Sequence, residues 1–300
     1  MKLKSSQSTL SHSSAVYSIT SAGEGRFYSA SADHIVALWQ TSPFEQLPFS
    51  ARIGKPVYSC LWIEEHHLLI AGTSEGDLHV IDTASRTELK HIIHHTQGIY
   101  DFAFSQSDHQ LLVAGGDGKI SVWSVPGFEL IRTIPVCDGK IRQLAISADQ
   151  SMLAIACGDG KVRITDLIFF NEIGTIDAHE NGATSVCWHP GKPVLVTGGK
   201  DALLKCWNVN NQFEEVLNIA AHQFAIYSIV FNHDGTLCAT SSRDKTIKLW
   251  NANDFEPLLK IGPGHEGHSH SVNKLIWNVD MLVSCGDDRK INTYSFQSEN

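Results

Sequence analysis

The sequence contains no apolar run that approaches the roughly 18 residues needed to cross a membrane. Lysine and arginine are outnumbered by acidic residues, 23 against 32, which gives a formal net charge of −9. Nucleic-acid binding relies on basic side chains that neutralise phosphates, so this balance argues against nucleic acid as a partner. Behind the basic start Met1-Lys2-Leu3-Lys4 there is no apolar segment of the kind that a secretory signal has. We therefore expect no membrane partner, and RNA in a larger particle is left as an option that would depend on a local basic strip.

Metal-type C-x-x-C spacing is absent as well, although the chain has seven cysteines. Their number is odd, and most lie in strand-like apolar runs, where a free thiol acts as a small hydrophobic side chain. They are Cys60, Cys137, Cys157, Cys187, Cys206, Cys238 and Cys285. A reducing, cytoplasmic compartment is the simplest interpretation. Long linkers rich in proline, glycine or serine are also missing, which predicts a single domain over residues 1–300.

The chain repeats one pattern seven times. Around Asp244, small residues lead into a turn, and alternating apolar and polar residues then lead to Trp250. The position of Trp250 recurs every 42 to 44 residues, at Trp39, Ile81, Trp123, Thr165, Trp207, Trp250 and Tyr294. Six residues before each stands Asp33, Glu75, Asp117, Asp159, Asp201, Asp244 or Asp288. A third position reads His12, Ile53, His95, Cys137, His179, His222 and His268.

This period, with its terminal tryptophan and a following acidic or amide residue as in Trp250-Asn251, resembles the WD40 repeat. The resemblance covers essentially the whole chain and implies an all-β, seven-bladed β-propeller with four antiparallel strands per blade. It predicts blades near residues 12–52, 53–94, 95–136, 137–178, 179–221, 222–267 and 268–296. The last segment supplies only three strands, so we expect the N-terminal strand 2–11 to complete that blade and close the ring.

The resemblance also implies hydrogen-bonded tetrads that fix the turns of three blades. They are His12, Ser29, Asp33 and Trp39; His179, Thr197, Asp201 and Trp207; and His222, Thr240, Asp244 and Trp250. Catalytic Ser/His/Asp triads are the alternative, but a nucleophile is not needed three times at one register. Blades two, three and four depart from the pattern, and Val113 stands where blade three should have its hydroxyl. We expect these three blades to be less tightly fixed.

Two further motifs have weaker chemical meaning. The glycine-rich strings before Lys119 and Lys161 do not satisfy the phosphate-loop pattern, so we interpret them as turns. Histidines cluster at His91, His94 and His95, and again at His265, His268 and His270. Imidazoles could bind a metal ion, but apart from Glu266 no carboxylate or cysteine accompanies them at suitable spacing. We expect solvent-exposed loops there, with no metal ion and no cofactor.

Four of the six tyrosines stand five residues after the histidine position, and the resemblance places this register at the channel mouth of one propeller face. In the WD40 propellers that the chain resembles, that face commonly docks partner peptides. It would present Tyr17, Tyr58, Tyr100, Lys140, Arg142, Lys200, Tyr227, Arg243, Asn273 and Asp287. Tyrosine and arginine are favoured at the centres of protein interfaces, and small neighbouring residues would leave room for an inserted side chain. The alternative is that the tyrosines pack between blades as part of the core.

We therefore predict a non-catalytic interaction scaffold, a monomeric propeller within a complex. Its partner would be a protein or peptide, and the cations favour an acidic or phosphorylated segment. The alternative function is a propeller that binds a small molecule or metal ion, or catalyses a reaction, at its channel mouth. That mouth has Asp287 but no second carboxylate at an equivalent register, so a paired acid and base is missing.

Overall fold

The computed structural model describes residues 1–23, 25–264 and 267–297. Within these ranges, 28 β-strands form seven four-stranded antiparallel sheets, and the one helical element is a 3₁₀ turn at Glu64–His66. The predicted all-β propeller with seven blades of four antiparallel strands is therefore confirmed. None of the described residues forms a helix long and apolar enough to span a membrane.

Each blade is a meander in which strands pair in chain order. Blade one contains β2 (Val16–Ser21), β3 (Arg26–Ser31), β4 (Ile35–Thr41) and β5 (Phe44–Arg52). Blade two contains β6 (Val57–Ile63), β7 (Leu68–Thr73), β8 (Asp77–Asp82) and β9 (Thr87–Ile93). Blade three contains β10 (Ile99–Ser105), β11 (Gln110–Gly115), β12 (Lys119–Ser124) and β13 (Leu130–Pro135). Blade four contains β14 (Ile141–Ile146), β15 (Met152–Cys157), β16 (Lys161–Asp166) and β17 (Glu172–Asp177).

The remaining blades follow the same order until the last. Blade five contains β18 (Ala183–Trp188), β19 (Val194–Gly199), β20 (Leu203–Asn208) and β21 (Glu214–Ala220). Blade six contains β22 (Ile226–Phe231), β23 (Leu237–Ser242), β24 (Ile247–Asn251) and β25 (Pro257–Ile261). Blade seven contains β26 (Val272–Asn278), β27 (Met281–Gly286) and β28 (Lys290–Gln297), and its fourth strand is β1 (Lys2–Leu10).

The ring is closed where β1 pairs with β28. The ladder runs antiparallel from Leu10 opposite Lys290 to Lys2 opposite Gln297, with one register shift between Leu3 and Ser5. Closure by the N-terminal strand is thus confirmed. It satisfies an edge of β28 that would otherwise be free to pair with another chain.

The apolar core lies between neighbouring blades. The second strands are nearly continuous apolar runs that are buried on both faces, as in β7, whereas outer strands such as β9 are mostly exposed. Between blades two and three, for example, Ile70 and Val80 pack in one cluster with Ile99 and Val113. No blade buries both of its faces by itself, so each depends on its neighbours for stability.

The tetrads join the loop before each blade to its second strand, third strand and turn. In blade one, His12 contacts Asp33 through Nδ1 at 2.9 Å and Ser29 through Nε2 at 2.7 Å. Trp39 Nε1 donates a hydrogen bond to the same Ser29 hydroxyl at 2.8 Å. Blades five and six repeat these contacts at 2.8–3.0 Å with His179, Thr197, Asp201 and Trp207 and with His222, Thr240, Asp244 and Trp250.

Blade three departs from the pattern at Val113, as predicted, but its hydrogen-bond network is complete. The hydroxyl comes from Ser121 on β12, which lies 2.9 Å from His95 Nε2 and accepts a hydrogen bond from Trp123 Nε1 at 2.8 Å. Asp117 lies 3.0 Å from His95 Nδ1, so the network is complete. A hydroxyl on the neighbouring strand reaches the same point because β11 and β12 place Val113 directly opposite Ser121.

Blade seven has a related network, and blades two and four have different contacts. His268 contacts Asp288 at 2.8 Å and Ser284 at 2.7 Å, while the aromatic position holds Tyr294. In blade four, Arg163 donates to Asp159 at 2.7 Å, and Cys137 occupies the histidine position.

Of the second predicted histidine cluster, His265 lies outside the described residues, and exposed His270 contacts the hydroxyl of Ser269.

Replacing Thr240 by valine should lower the free energy of unfolding by about 2–4 kcal/mol, because His222 Nε2 and Trp250 Nε1 would both lose a buried partner. Thr240→Ser is the matched control, since it keeps the hydroxyl that Ser29 supplies in blade one. Urea unfolding of the three proteins measures the difference. Equal stability of the valine and serine variants would contradict this assignment.

Stability should fall as the pH drops from 7 to 5. Burial lowers the pKa of His12, His179 and His222 below the ordinary 6.5, and this effect outweighs the nearby carboxylates that act in the opposite direction. In this range the unfolded chain binds more protons than the folded one, so the free energy of unfolding decreases as protons are added. Urea titrations at several pH values check this.

The matched comparison for this pH dependence is His179→Gln against His270→Gln. The first should flatten the dependence, because it removes a buried imidazole with a lowered pKa. The second, at an exposed histidine, should run parallel to the wild type. A protein that becomes more stable towards pH 5 would contradict the prediction.

Candidate functional site at the channel mouth

A β-bulge near the start of each inner strand places one residue at the centre of the ring. In β2 the pairing with β3 shifts between Val16 and Ser18, so Tyr17 is the extra residue of the bulge. The same shift occurs at the equivalent place in β6, β10, β14, β18, β22 and β26. A bulge bends a strand and re-aims the side chain of its extra residue. Seven side chains are therefore brought together although they are about 42 residues apart along the chain.

These side chains surround a cavity of about 340 Å³, which we call the channel mouth. One lining residue comes from each blade: Tyr17, Tyr58, Tyr100, Arg142, Thr184, Tyr227 and Asn273. Gln143, Lys274 and Asp287 complete the lining. Of the predicted site residues, the structure thus gathers seven around one cavity, and leaves Lys140, Lys200 and Arg243 outside its lining.

Three tyrosines form a continuous aromatic wall. The rings of Tyr17 and Tyr58 meet edge to face with centroids 5.2 Å apart, and those of Tyr58 and Tyr100 lie 5.7 Å apart. All three side chains are only partly buried, so the wall is accessible at the mouth rather than sealed between blades. Such half-buried aromatic rings offer a large apolar contact area together with hydroxyl donors.

Two of the small residues beside the tyrosines do not leave an empty pocket, contrary to the expectation that such residues make room for an inserted side chain. A Cβ at Gly98 would lie 3.0 Å from the Tyr58 ring, and one at Gly116 would lie 2.9 Å from the Tyr100 ring. Both positions therefore accommodate the tyrosines themselves. The space open to a ligand is the cavity in front of the rings.

Basic side chains flank the aromatic wall on the side of blade four. The Arg142 guanidinium lies over the Tyr100 ring, 4.7 Å from its centroid, and Lys140 Nζ donates a hydrogen bond to the Tyr100 hydroxyl at 2.9 Å. Lys200 is exposed and lies near Gly182, whereas Arg243 lies over the ring of Phe224. Within the ranges that the structure describes, none of these four cations forms an ion pair with a carboxylate.

The opposite side of the mouth is acidic. Asn273 Nδ2 donates hydrogen bonds to Asp287 Oδ1 at 2.8 Å and to the Val16 carbonyl at 2.9 Å. Burial and the Asp287 carboxylate raise the pKa of Tyr17 above its ordinary 10.0, so this hydroxyl keeps its proton near neutral pH. The mouth therefore has a positive side at Arg142 and a negative side at Asp287, with phenol donors between them.

A polar ring beneath the tyrosines was not predicted. The residue after each mouth position is polar in all seven blades: Ser18, Ser59, Asp101, Gln143, Ser185, Ser228 and Lys274. Four of them accept the backbone N–H of the next blade's inner strand, as Asp101 does from Leu144 at 3.0 Å. Lys274 Nζ crosses the channel to Asp101 at 3.2 Å. Aligning the seven repeats at this position would have revealed the ring.

The chain belongs to the WD40 repeat family. It matches the family model described as "WD domain, G-beta repeat" at residues 4–40, 86–124, 128–166, 170–208 and 213–251. Each matched segment begins near the outer strand of one sheet and ends with the third strand of the next. The resemblance inferred from the repeat is thus confirmed.

Two curated relatives are both called polyadenylation factor subunit 2. The chain is 34% identical over 157 residues to the protein from Gibberella zeae, and 32% identical over 157 residues to that from Neurospora crassa. The alignments cover 52% of this chain but only 26% and 24% of the two relatives. The chain thus matches about a quarter of each relative's length.

The Lys274–Asp101 pair should stabilise the propeller across its channel. Both side chains are mostly buried, with 23% and 13% exposed, and Asp101 also holds the Leu144 N–H. We expect Asp101→Ala to lower the free energy of unfolding by about 2–4 kcal/mol and Lys274→Met by less, because only the first leaves a backbone donor unpaired. A double-mutant cycle by urea unfolding measures the coupling, and additive effects of the two substitutions would contradict the contact.

Proposed function

We propose that this protein is a non-catalytic interaction scaffold that holds a segment of a partner protein at the channel mouth, as one subunit of a protein complex. The observation that carries the proposal is the aromatic wall of Tyr17, Tyr58 and Tyr100 at the accessible centre of a closed ring. Large rings that lose little conformational freedom on binding are typical of the most important contacts in protein interfaces. The ring of paired strands keeps these side chains in place before the partner arrives.

Charge favours an acidic or phosphorylated partner segment. Lys140, Arg142, Lys200 and Arg243 lack a carboxylate partner among the described residues, on a chain whose formal net charge is −9. Arg142 is held by Tyr100 with its guanidinium beside the cavity, where it could donate two hydrogen bonds to one carboxylate or phosphate group. Asp287, across the mouth, would favour a basic or amide group elsewhere in the same segment.

The relatives support the general expectation that this chain belongs to a protein complex, without indicating which surface binds the partner. Both are called factor subunits, which is a statement about those proteins, and this chain aligns with about a quarter of each. We extend from them only the expectation of protein partners. The cytoplasmic compartment predicted from the free cysteines and the monomeric state of the propeller remain part of this proposal.

A small molecule in the mouth is the alternative occupant. The cavity of about 340 Å³ is at the low end of the range for small-molecule sites. Asp287 is the one lining carboxylate in the described part of the chain, and it is hydrogen-bonded to Asn273. The mouth therefore offers binding groups but no pair of an acid and a base, which favours recognition over catalysis.

We expect Tyr58→Ala combined with Arg142→Gln to weaken partner binding by about 2 kcal/mol or more, since both residues lie at the centre of the proposed interface. Binding would be measured on an array of acidic, phosphorylated and basic peptides of equal length, and then in solution for the peptides retained. Acidic or phosphorylated peptides should bind the wild type best, with affinity that falls as salt is raised.

The control carries Phe169→Ala and Arg132→Gln, which change similar residue types on the exposed flank between blades three and four. It should bind like the wild type, and all three proteins should melt at similar temperatures. Equal binding by the mouth variant and the control would place the partner elsewhere and overturn the proposal. A mouth variant that melts early would show that the tyrosines serve the core, as the alternative predicts.

A further inference from the structure

Blade two has three potential metal ligands on one face of its outer strands. His79 on β8 lies directly opposite His91 on β9, and Asp77 lies two residues before His79. Because side chains alternate between the faces of a strand, Asp77 and His79 point to the same side, and the cross-strand partner His91 joins them there. We call Asp77, His79 and His91 the blade-two triad.

The ligand atoms of the blade-two triad lie close together. One nitrogen from each imidazole and one carboxylate oxygen are all within 4.8 Å of one another, and His91 Nε2 lies 3.8 Å from Asp77 Oδ2. The two imidazole rings are stacked, with centroids 4.4 Å apart. A tetrahedral zinc ion holds its ligand atoms about 3.4 Å from one another. The ligand atoms are thus near the required spacing, and binding would need the exposed His91 ring to turn out of the stack so that both ring planes meet at the ion.

His79 is already oriented as a ligand. It is 7% exposed, and its Nδ1 lies 2.5 Å from Glu88 Oε1. An ionised carboxylate only accepts hydrogen bonds, so the contact selects the tautomer with the proton on Nδ1, in which the neutral ring has a lone pair on Nε2. That buried Nε2 has no hydrogen-bond partner among the described residues. A carboxylate behind a histidine, fixing its tautomer and its ring, is the usual support of a metal-bound imidazole.

The site is open to solvent on one side. His79 and Glu88 line a cleft of about 690 Å³ between β5 of blade one and the outer strands of blade two. The His91 side chain is 46% exposed, whereas that of Asp77 is 13% exposed. An ion could enter from the cleft, and a position would remain for a water molecule.

We propose that the blade-two triad binds one divalent zinc ion through His79 Nε2, His91 Nε2 and an Asp77 carboxylate oxygen. Two imidazoles and a carboxylate are a donor set that zinc accepts, and solvent would complete the tetrahedron. The ion would cross-link β8 and β9 in a blade that has Ile53 and Ile81 where a tetrad has histidine and tryptophan. Asp77 and His79 lie outside the sequence cluster of His91, His94 and His95. The spacing within that cluster therefore could not indicate this site.

A second group, Glu65, His66 and His109, serves as an internal comparison. Its ligand atoms also lie within 4.8 Å of one another, but the Glu65 carboxylate lies 3.1 Å from His109 Nδ1 and 3.3 Å from His66 Nε2. Glu65 and His109 are exposed. His66 Nε2 is buried without a hydrogen-bond partner among the described residues, as His79 Nε2 is, but the Glu65 carboxylate already lies at ion-pair distance from it. We therefore assign no ion to it.

The test is a zinc titration of the full chain, purified without a polyhistidine tag and stripped of metal, by competition with a chromophoric chelator. The wild type should bind one equivalent of Zn²⁺, and Co²⁺ in its place should give the visible absorption of a tetrahedral centre. His79→Gln should weaken binding by about 100-fold or more. Glu88→Gln should weaken it by about tenfold while keeping one equivalent, since Glu88 positions His79 without touching the ion.

The control is His109→Gln, which should bind zinc like the wild type. His91→Ala covers the case in which His79→Gln fails to fold, because its exposed side chain can be removed with little effect on the core. Zinc should also raise the melting temperature of the wild type and the control but not of His91→Ala. Absence of saturable binding by the wild type, or equal binding by His91→Ala, would overturn the proposal.

Discussion

The whole molecule depends on the pairing of β1 with β28. Each blade buries its faces only against neighbouring blades, so an open array would leave two apolar faces and a free strand edge. One antiparallel ladder between Lys2 and Leu10 on one side and Lys290 and Gln297 on the other removes both defects. Closure also fixes the number of inner strands at seven, and with it the number of side chains that can meet at the channel mouth.

The mouth itself follows from a defect in regular pairing. If the inner strands paired without bulges, side chains would alternate regularly between the two faces of each sheet. Tyr17 and its equivalents would then point to one of those faces. The bulge at each inner strand re-aims the side chain and leaves the next residue, such as Asp101 or Gln143, to accept an N–H from the neighbouring blade. Mouth-lining residues and residues that join neighbouring blades are therefore adjacent in the same short segment.

Sequence alone predicted the blade number from a period that is visible in single residues such as Trp250, and it predicted the ring closure and the register at the mouth through the resemblance to WD40 repeats. It failed where a contact is made across strands. Val113 indicated a missing hydroxyl, yet Ser121 on the paired strand supplies it. The blade-two triad likewise depends on His79 facing His91, a register that linear spacing does not encode.

The two sources of the tetrad hydroxyl have an evolutionary consequence. A hydroxyl at the position of Thr240 and one at the position of Ser121 can satisfy the same pair of ring nitrogens. A blade that carried both would tolerate the loss of either one. Such a blade could move its hydroxyl from one strand to the next through single substitutions without passing through a destabilised intermediate.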